Sequence, residues 1–274
     1  MSNKAYEPII EKYLPQIQKM RLLDDDFMRA AFDNNIEGTE AVLQIIMGKD
    51  DLKVTDVIAQ QELKNLYGRS VRLDVYAIDA TGKRYDIEIQ RADEGAGEKR
   101  ARYNQSIMDT NHLPAGADPK SLPEVYIIFF TENDVRRNGL PIYHIERVIM
   151  ETGELFEDGE HIIYVNGAYK EDDSKLGVLI SDFRASDPDK VKTKALAERM
   201  KYLKQSEEGV SHMCRIMEDI VQKERKEAEQ ESFLRLIKRM WEKPSSLADM
   251  VYISEHTEEE VVLALKELGL SIPN

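Results

Sequence analysis

A single cysteine, Cys214, occurs in the 274 residues. No disulfide can close within the chain, so its core must hold by packing alone, and nothing calls for an oxidising compartment. No stretch approaches the ~18 uninterrupted apolar residues that a membrane span needs. The opening segment, MSNKAYEPIIEKYLPQIQKM, lacks the continuous apolar core of a secretory leader. These absences make the cytoplasm the expected location. Histidines at 112, 144 and 161 lack a ligand spacing such as HExxH, and read as structural or surface groups. Positive charge is also short. Lys plus Arg is 38 against 52 Asp plus Glu, a net charge of -14. Such a field repels phosphate, so nucleic-acid binding would have to rest on local basic patches or bound cations.

What the chain does contain is a core-forming share of hydrophobic residues, 42%, under a heavily charged surface. Residues 24–48 read as a helix interrupted near Asn34, Asn35 and Gly38. Val54 to Leu63 mixes β-branched and polar residues and reads as a strand. VRLDVYAI (71–78) alternates, DATGK (79–83) is turn chemistry, and RYDIEIQ (84–90) alternates again. That is a β-hairpin. A helix is expected from Glu98 to Asp109. PEVYIIFF (123–130) contains an unbroken apolar run, as expected of a central strand covered on both faces. HIIYVNGAY (161–169) is a further strand or hairpin arm. Helix, three strands, helix, strand implies an α/β sandwich with a mixed sheet flanked by helices.

Beyond residue 190 the composition turns helical. We divide the chain into a domain at 1–190, a charged helical extension at 191–240 and a small helical module at 241–274. Within the extension, KERKEAEQES (223–232) reads as an exposed helix or linker. Thr257, with Glu260 three residues on, has the pattern of a capping box. The last segment has the size of a helix-turn-helix, but Glu258, Glu259, Glu260 and Glu267 argue against DNA contact and favour docking or oligomerisation.

The hairpin carries the chemistry. Alternation puts Arg72, Asp74 and Tyr76 on one face of the first arm, and Arg84, Asp86, Glu88 and Gln90 on one face of the second. If 79–83 form the loop, Ile78 pairs with Arg84 and Asp74 lies opposite Glu88, with Cβ atoms ~5 Å apart. Two carboxylates that close repel unless a proton or cation lies between them. Mg²⁺ takes oxygen ligands and needs only one or two carboxylates plus substrate phosphate. The same residues also suit the wet face of a half-solvated antiparallel sheet, and the pattern alone leaves both readings open.

The stretch VRLDVYAIDATGKRYDIEIQRADEG resembles the core of the PD-(D/E)XK nuclease family transposases, related to the recombination-promoting nucleases. Their motif is an Asp in one hairpin arm and Glu-x-Gln or Glu-x-Lys in the next, here Asp74 and Glu88-Ile89-Gln90. Asp26-Phe27, the Arg91–Glu94 extension, the Arg102-Tyr103 helix, PEVYIIFFTEND and GLPIYHIER look similar too, so the likeness covers roughly residues 20–185. It implies a PD-(D/E)XK nuclease-like fold with a helical C-terminal extension. It also implies a Mg²⁺- or Mn²⁺-dependent DNA endonuclease linked to mobile elements or recombination. Asp74 and Glu88 would be metal ligands and catalytic groups, with Gln90 at the position often held by Lys. Glu40 is the expected further acid from the first helix. Arg100, Arg102 and Tyr103, beside Lys99, are expected to bind DNA. Asp93 and Glu94 could extend the acidic site. A homodimer would suit a double-strand cutter. The alternative is a nuclease fold with weak or no activity, serving as a DNA- or protein-binding assembly module.

Overall fold

The computed structural model describes residues 7–65, 70–243 and 245–273. Helix α1 (Glu7–Ile17) leads into α2 (Asp25–Phe32) and α3 (Ile36–Met47). The expected interruption of the long helix falls at Asn34 and Asn35. Asn34 takes a left-handed φ of 52°, and the Asn35 side chain caps α3 by accepting the Gly38 amide at 3.0 Å. Gly48, at φ 63°, closes α3 at its other end.

Strands β1 (Val54–Leu63), β2 (Val71–Asp79) and β3 (Arg84–Gln90) form an antiparallel meander. Helix α4 (Glu98–His112) then crosses to β4 (Val125–Thr131), which runs parallel to β3. Two further strands, β5 (Ile142–Ile145) and β6 (Glu160–Asn166), complete a six-stranded sheet in the order β1-β2-β3-β4-β6-β5. The mixed sheet flanked by helices is the expected PD-(D/E)XK-like architecture. Every residue of β4 is buried because both faces are covered. Phe129 joins the core under α4, while Phe130 stacks at 4.0 Å on Phe183 of α5 (Lys175–Arg184).

Two compact units make up the chain, residues 1–214 and 215–274. Helix α6 (Lys194–Gln205) belongs to the first, beyond the composition change at 190. Its Arg199 guanidinium donates to the Ala30, Ala31 and Asp33 carbonyls. Its buried Lys204 ammonium donates to the Gln18, Met20 and Ser186 carbonyls. Helix α7 (Glu207–Trp241) runs across the boundary between the units. In the second unit its last turns, α8 (Leu247–Ser254) and α9 (Glu258–Glu267) share a core of Phe233, Ile237, Met240, Met250, Val261 and Leu265. The capping box expected at Thr257 and Glu260 is present.

Candidate active site

The hairpin pairs Ile78 with Arg84 and Val75 with Ile87, the register expected from a loop at 79–83. One step further along that register, Asp74 stands opposite Glu88. The Asp74 carboxylate accepts the Ile89 amide at 3.1 Å, so a side chain binds a main-chain donor where the ladder ends. On the other side, β1 carries Gln60 at the matching level, with a left-handed φ of 56°. Its side chain accepts from Arg29 of α2 at 3.1 Å. A non-glycine residue with that backbone inside a strand costs energy, and such strain clusters at functional sites.

Three carboxyl groups gather on the face of the sheet under α4. Asp86 and Glu88 are fully buried, each with no exposed surface. Asn104 of α4 donates to both, at 3.0 Å to Asp86 and 3.3 Å to Glu88. Gln90 donates to Glu88 at 3.2 Å, and the Arg100 guanidinium is ion-paired with Glu88. Burial, the Glu88 charge and then the Asp25 charge push the Asp74 carboxyl up to about 7. Burial and the Glu88 charge push Asp86 well above the ordinary carboxylate range. Burial also raises Glu88, against the pull of Arg100. Asp86 Oδ1 is buried without a hydrogen-bond partner, an arrangement that calls for a proton or a cation.

An ion-pair network holds the surrounding elements. Arg21 binds Asp24 at 3.0 Å and Glu132 at 2.9 Å. Arg91, just past β3, binds the same two acids at 3.3 and 3.2 Å. The start of α2 is thereby tied to the ends of β3 and β4, which keeps the Asp25 charge within reach of Asp74. Gln90 in turn rests against Gly95. A Cβ at residue 95 would stand 1.9 Å from Gln90 Oε1, so only glycine leaves room for that amide.

Asp74, Glu88, Gln90 and Arg100 thus come together. Glu40 does not join them. It pairs with Lys53 at 2.9 Å and accepts the Val54 amide at 3.0 Å. Val54 pairs with Asp79, five residues along the strand from Asp74, or roughly 16 Å. The helix acid near Asp74 is Asp25 instead. Arg102 faces away with Gln105, Glu146 and Glu160 around it. Tyr103 packs on the core and accepts from Asn65 at 2.9 Å. The side chains of Asp93 and Glu94 lie outside the described residues. Asp86 and Asn104 were not singled out from sequence. Alternation did put Asp86 on the face of Glu88, but its burial comes from α4.

The donor set suits a hard divalent cation, with clustered carboxylate oxygens, one of them unpartnered, and an amide alongside. Among the described residues, no group of three or more His, Cys, Asp or Glu is arranged to hold a metal ion by itself. Two carboxylates with water and substrate phosphate fit that limit. No helix among the described residues is long and apolar enough to cross a membrane.

Residues 40–242 match the PD-(D/E)XK nuclease family transposase family. No curated protein and no solved structure matches the chain.

Proposed function

The chain belongs to the PD-(D/E)XK nuclease family transposases, and from that premise we propose that it is a divalent-metal-dependent DNA endonuclease with Asp74 and Glu88 at its centre. The observation that carries this reading is the crowding of half-buried Asp74 with the fully buried Asp86 and Glu88, where one Asp86 oxygen has no hydrogen-bond partner; burial raises all three carboxyls. Arg100 offsets the Glu88 charge, but among the described residues no cation pairs with Asp74 or Asp86, and a structural role would pair them because uncompensated buried charge is costly. A site for Mg²⁺ or Mn²⁺ would leave them as they are.

Asp74 and Glu88 would hold the metal, with Asp25 near enough to add charge. When bound, the metal supplies an activated water and neutralises charge on the phosphodiester. The chain's own groups do the rest. Asn104 fixes the Glu88 and Asp86 carboxyl groups from the helix side. The Gln90 amide orients water or a phosphate oxygen by hydrogen bonding. Arg100, at the mouth, supplies the positive charge that Gln90 lacks. A second copy would be needed for a double-strand break, since one such site cuts one strand.

Supercoiled plasmid incubated with Mg²⁺ or Mn²⁺ tests the proposal. The parent should convert it to nicked or linear forms, and Asp74→Ala should not. Equal cutting by both proteins would remove Asp74 from the mechanism. No cutting by a folded parent with either metal would favour the binding-module reading. The Arg100–Glu88 ion pair supports that second reading, because it occupies a ligand oxygen.

A further inference from the structure

Residues 132–139, TENDVRRNG with the strand's last Thr131, follow β4 directly. Thr131 is the register partner of Gln90, and the Glu132 amide donates to the Gln90 carbonyl at 2.9 Å. The loop therefore starts beside the candidate active site, at the carboxyl ends of the parallel strands. Its shape is built from inside. The Asp134 carboxylate accepts the amides of Arg136, Arg137 and Gly139 at 3.2, 2.9 and 2.7 Å, and the Tyr143 hydroxyl at 2.9 Å. Val135 packs into the core under α4. One acid is thus consumed in holding the loop, and two successive arginines are left outside.

The two arginines differ. Arg136 pairs with Glu98, at the start of α4, at 2.7 Å and lies over the Tyr164 ring at 5.6 Å. Glu98 is two residues from Arg100, whose guanidinium binds Glu88. Arg137 is exposed, forms no ion pair among the described residues, and holds a left-handed φ of 58°. Glycine or asparagine would take that backbone at lower cost.

We propose that this loop is a preformed clamp for a DNA backbone phosphate flanking the cut, with Arg137 as its contact. The inference rests on the nuclease reading of the site, and it answers a difficulty that reading raises. A chain of net charge -14 with clustered carboxylates repels DNA unless cations flank the site. The first turn of α4 and the loop after β4 carry four cations, Lys99, Arg100, Arg136 and Arg137, of which Arg100 and Arg136 are paired with Glu88 and Glu98. Arg137 is the member whose charge is not already committed to a carboxylate of this chain and whose backbone is strained. A guanidinium forks naturally onto phosphate oxygens.

The test is Arg137→Gly in the full chain, with Arg225→Ala as a control on the second unit. Binding of a fluorescein-labelled DNA duplex is followed by anisotropy across a salt series with Ca²⁺ present, and melting temperature and plasmid cleavage with Mg²⁺ are measured alongside. Loss of one phosphate contact should lower the slope of log K against log salt by about 1 and weaken binding about tenfold at low salt. Glycine should leave the melting temperature unchanged or higher, and Arg225→Ala should match the parent. An unchanged slope in Arg137→Gly, with the parent binding DNA, overturns the clamp and leaves the nuclease reading standing. So does a fall in melting temperature that accompanies the loss, because the arginine would then be structural. A parent that binds with the expected Arg137 dependence but never cleaves keeps the clamp and overturns the catalytic reading. A parent that binds no DNA overturns both.

Discussion

The β2–β3 hairpin carries acids at both ends, and the two ends have opposite electrostatics. At the turn, burial pushes Asp79 up, but bonds from Thr81, Tyr85 and Lys83 outweigh it and hold the carboxyl below its ordinary range. Lys53 does the same for Glu40 and Lys83 for Glu124. Across the sheet, Asp74, Asp86 and Glu88 are all raised. The residue types are the same, and Asp79, Asp74, Asp86 and Glu88 all lie on the same two strands. What differs is the balance of partners against crowding: Arg100, Gln90 and Asn104 reach Glu88, yet no cation among the described residues pairs with Asp74 or Asp86. Satisfied acids at the turn hold the fold, while crowded acids at the opposite end store a demand for a cation. That contrast separates stability from function more clearly than residue identity does.

The largest effect expected to test this contrast is at Asp74. Asp74→Asn should lower plasmid cleavage by roughly 10³-fold or more, the scale of several kcal/mol of transition-state stabilisation. The same change should stabilise the metal-free protein in a pH-dependent way. With its carboxyl pushed up to about 7, well above the ordinary aspartate value, folded Asp74 keeps a proton that the unfolded chain has released. Stability from this group therefore falls as pH rises from about 4 to about 7. Thermal melts without metal should show Asp74→Asn near the parent at pH 4 and above it at pH 8. A variant that melts below the parent at pH 8 would make Asp74 a structural acid like Asp79.

Next in size is Asp79→Ala. It removes an acceptor for four donors and leaves the buried Tyr85 hydroxyl without its partner. Urea unfolding should show a loss of about 2–3 kcal/mol, with cleavage per folded molecule retained. Gly95→Ala should act in the reverse sense. The added methyl displaces the end of the Gln90 side chain, so turnover should drop several-fold while stability changes by less than about 1 kcal/mol. The smallest effect belongs to Glu40→Gln. It breaks a pair with the exposed Lys53, worth at most about 1 kcal/mol, and calorimetric Mn²⁺ binding should match the parent. Loss of Mn²⁺ binding in that variant would join the two ends and dissolve the contrast.

Sequence made the hairpin, its register and its face pattern legible, because alternation with a period of two and a turn of fixed length specify all three. Asp74, Glu88 and Gln90 followed from that pattern, and Arg100 from its local basic cluster. Other parts depended on packing that no local pattern records. Asp86 sits in the same alternation as Glu88, yet its burial depends on Asn104 and the rest of α4 arriving above it. The choice between Glu40 and Asp25 as the nearby helix acid is made by the Arg21–Asp24–Glu132–Arg91 network, whose members are 111 positions apart in one pair. Strand β5 has only four residues, none of them buried, and α5 carries Gly177 inside its first turn. Both are too short or too interrupted to stand out by period.

The turn that Asp79 closes is a spacer as well as a connection. Ala80 is exposed and Thr81 serves the turn through its bonds to Asp79, so related chains can exchange residue 80 freely and residue 81 for another small hydroxyl or polar residue, as long as Gly82 keeps its φ of 85°. Length is another matter. One residue inserted or deleted there would slide β3 by one position against β2, and every side chain of one arm would change faces relative to the other. Glu88 would leave Asp74 without a single active-site residue having been altered. Descendants of this gene should therefore tolerate such substitutions in the turn and almost no change in its length.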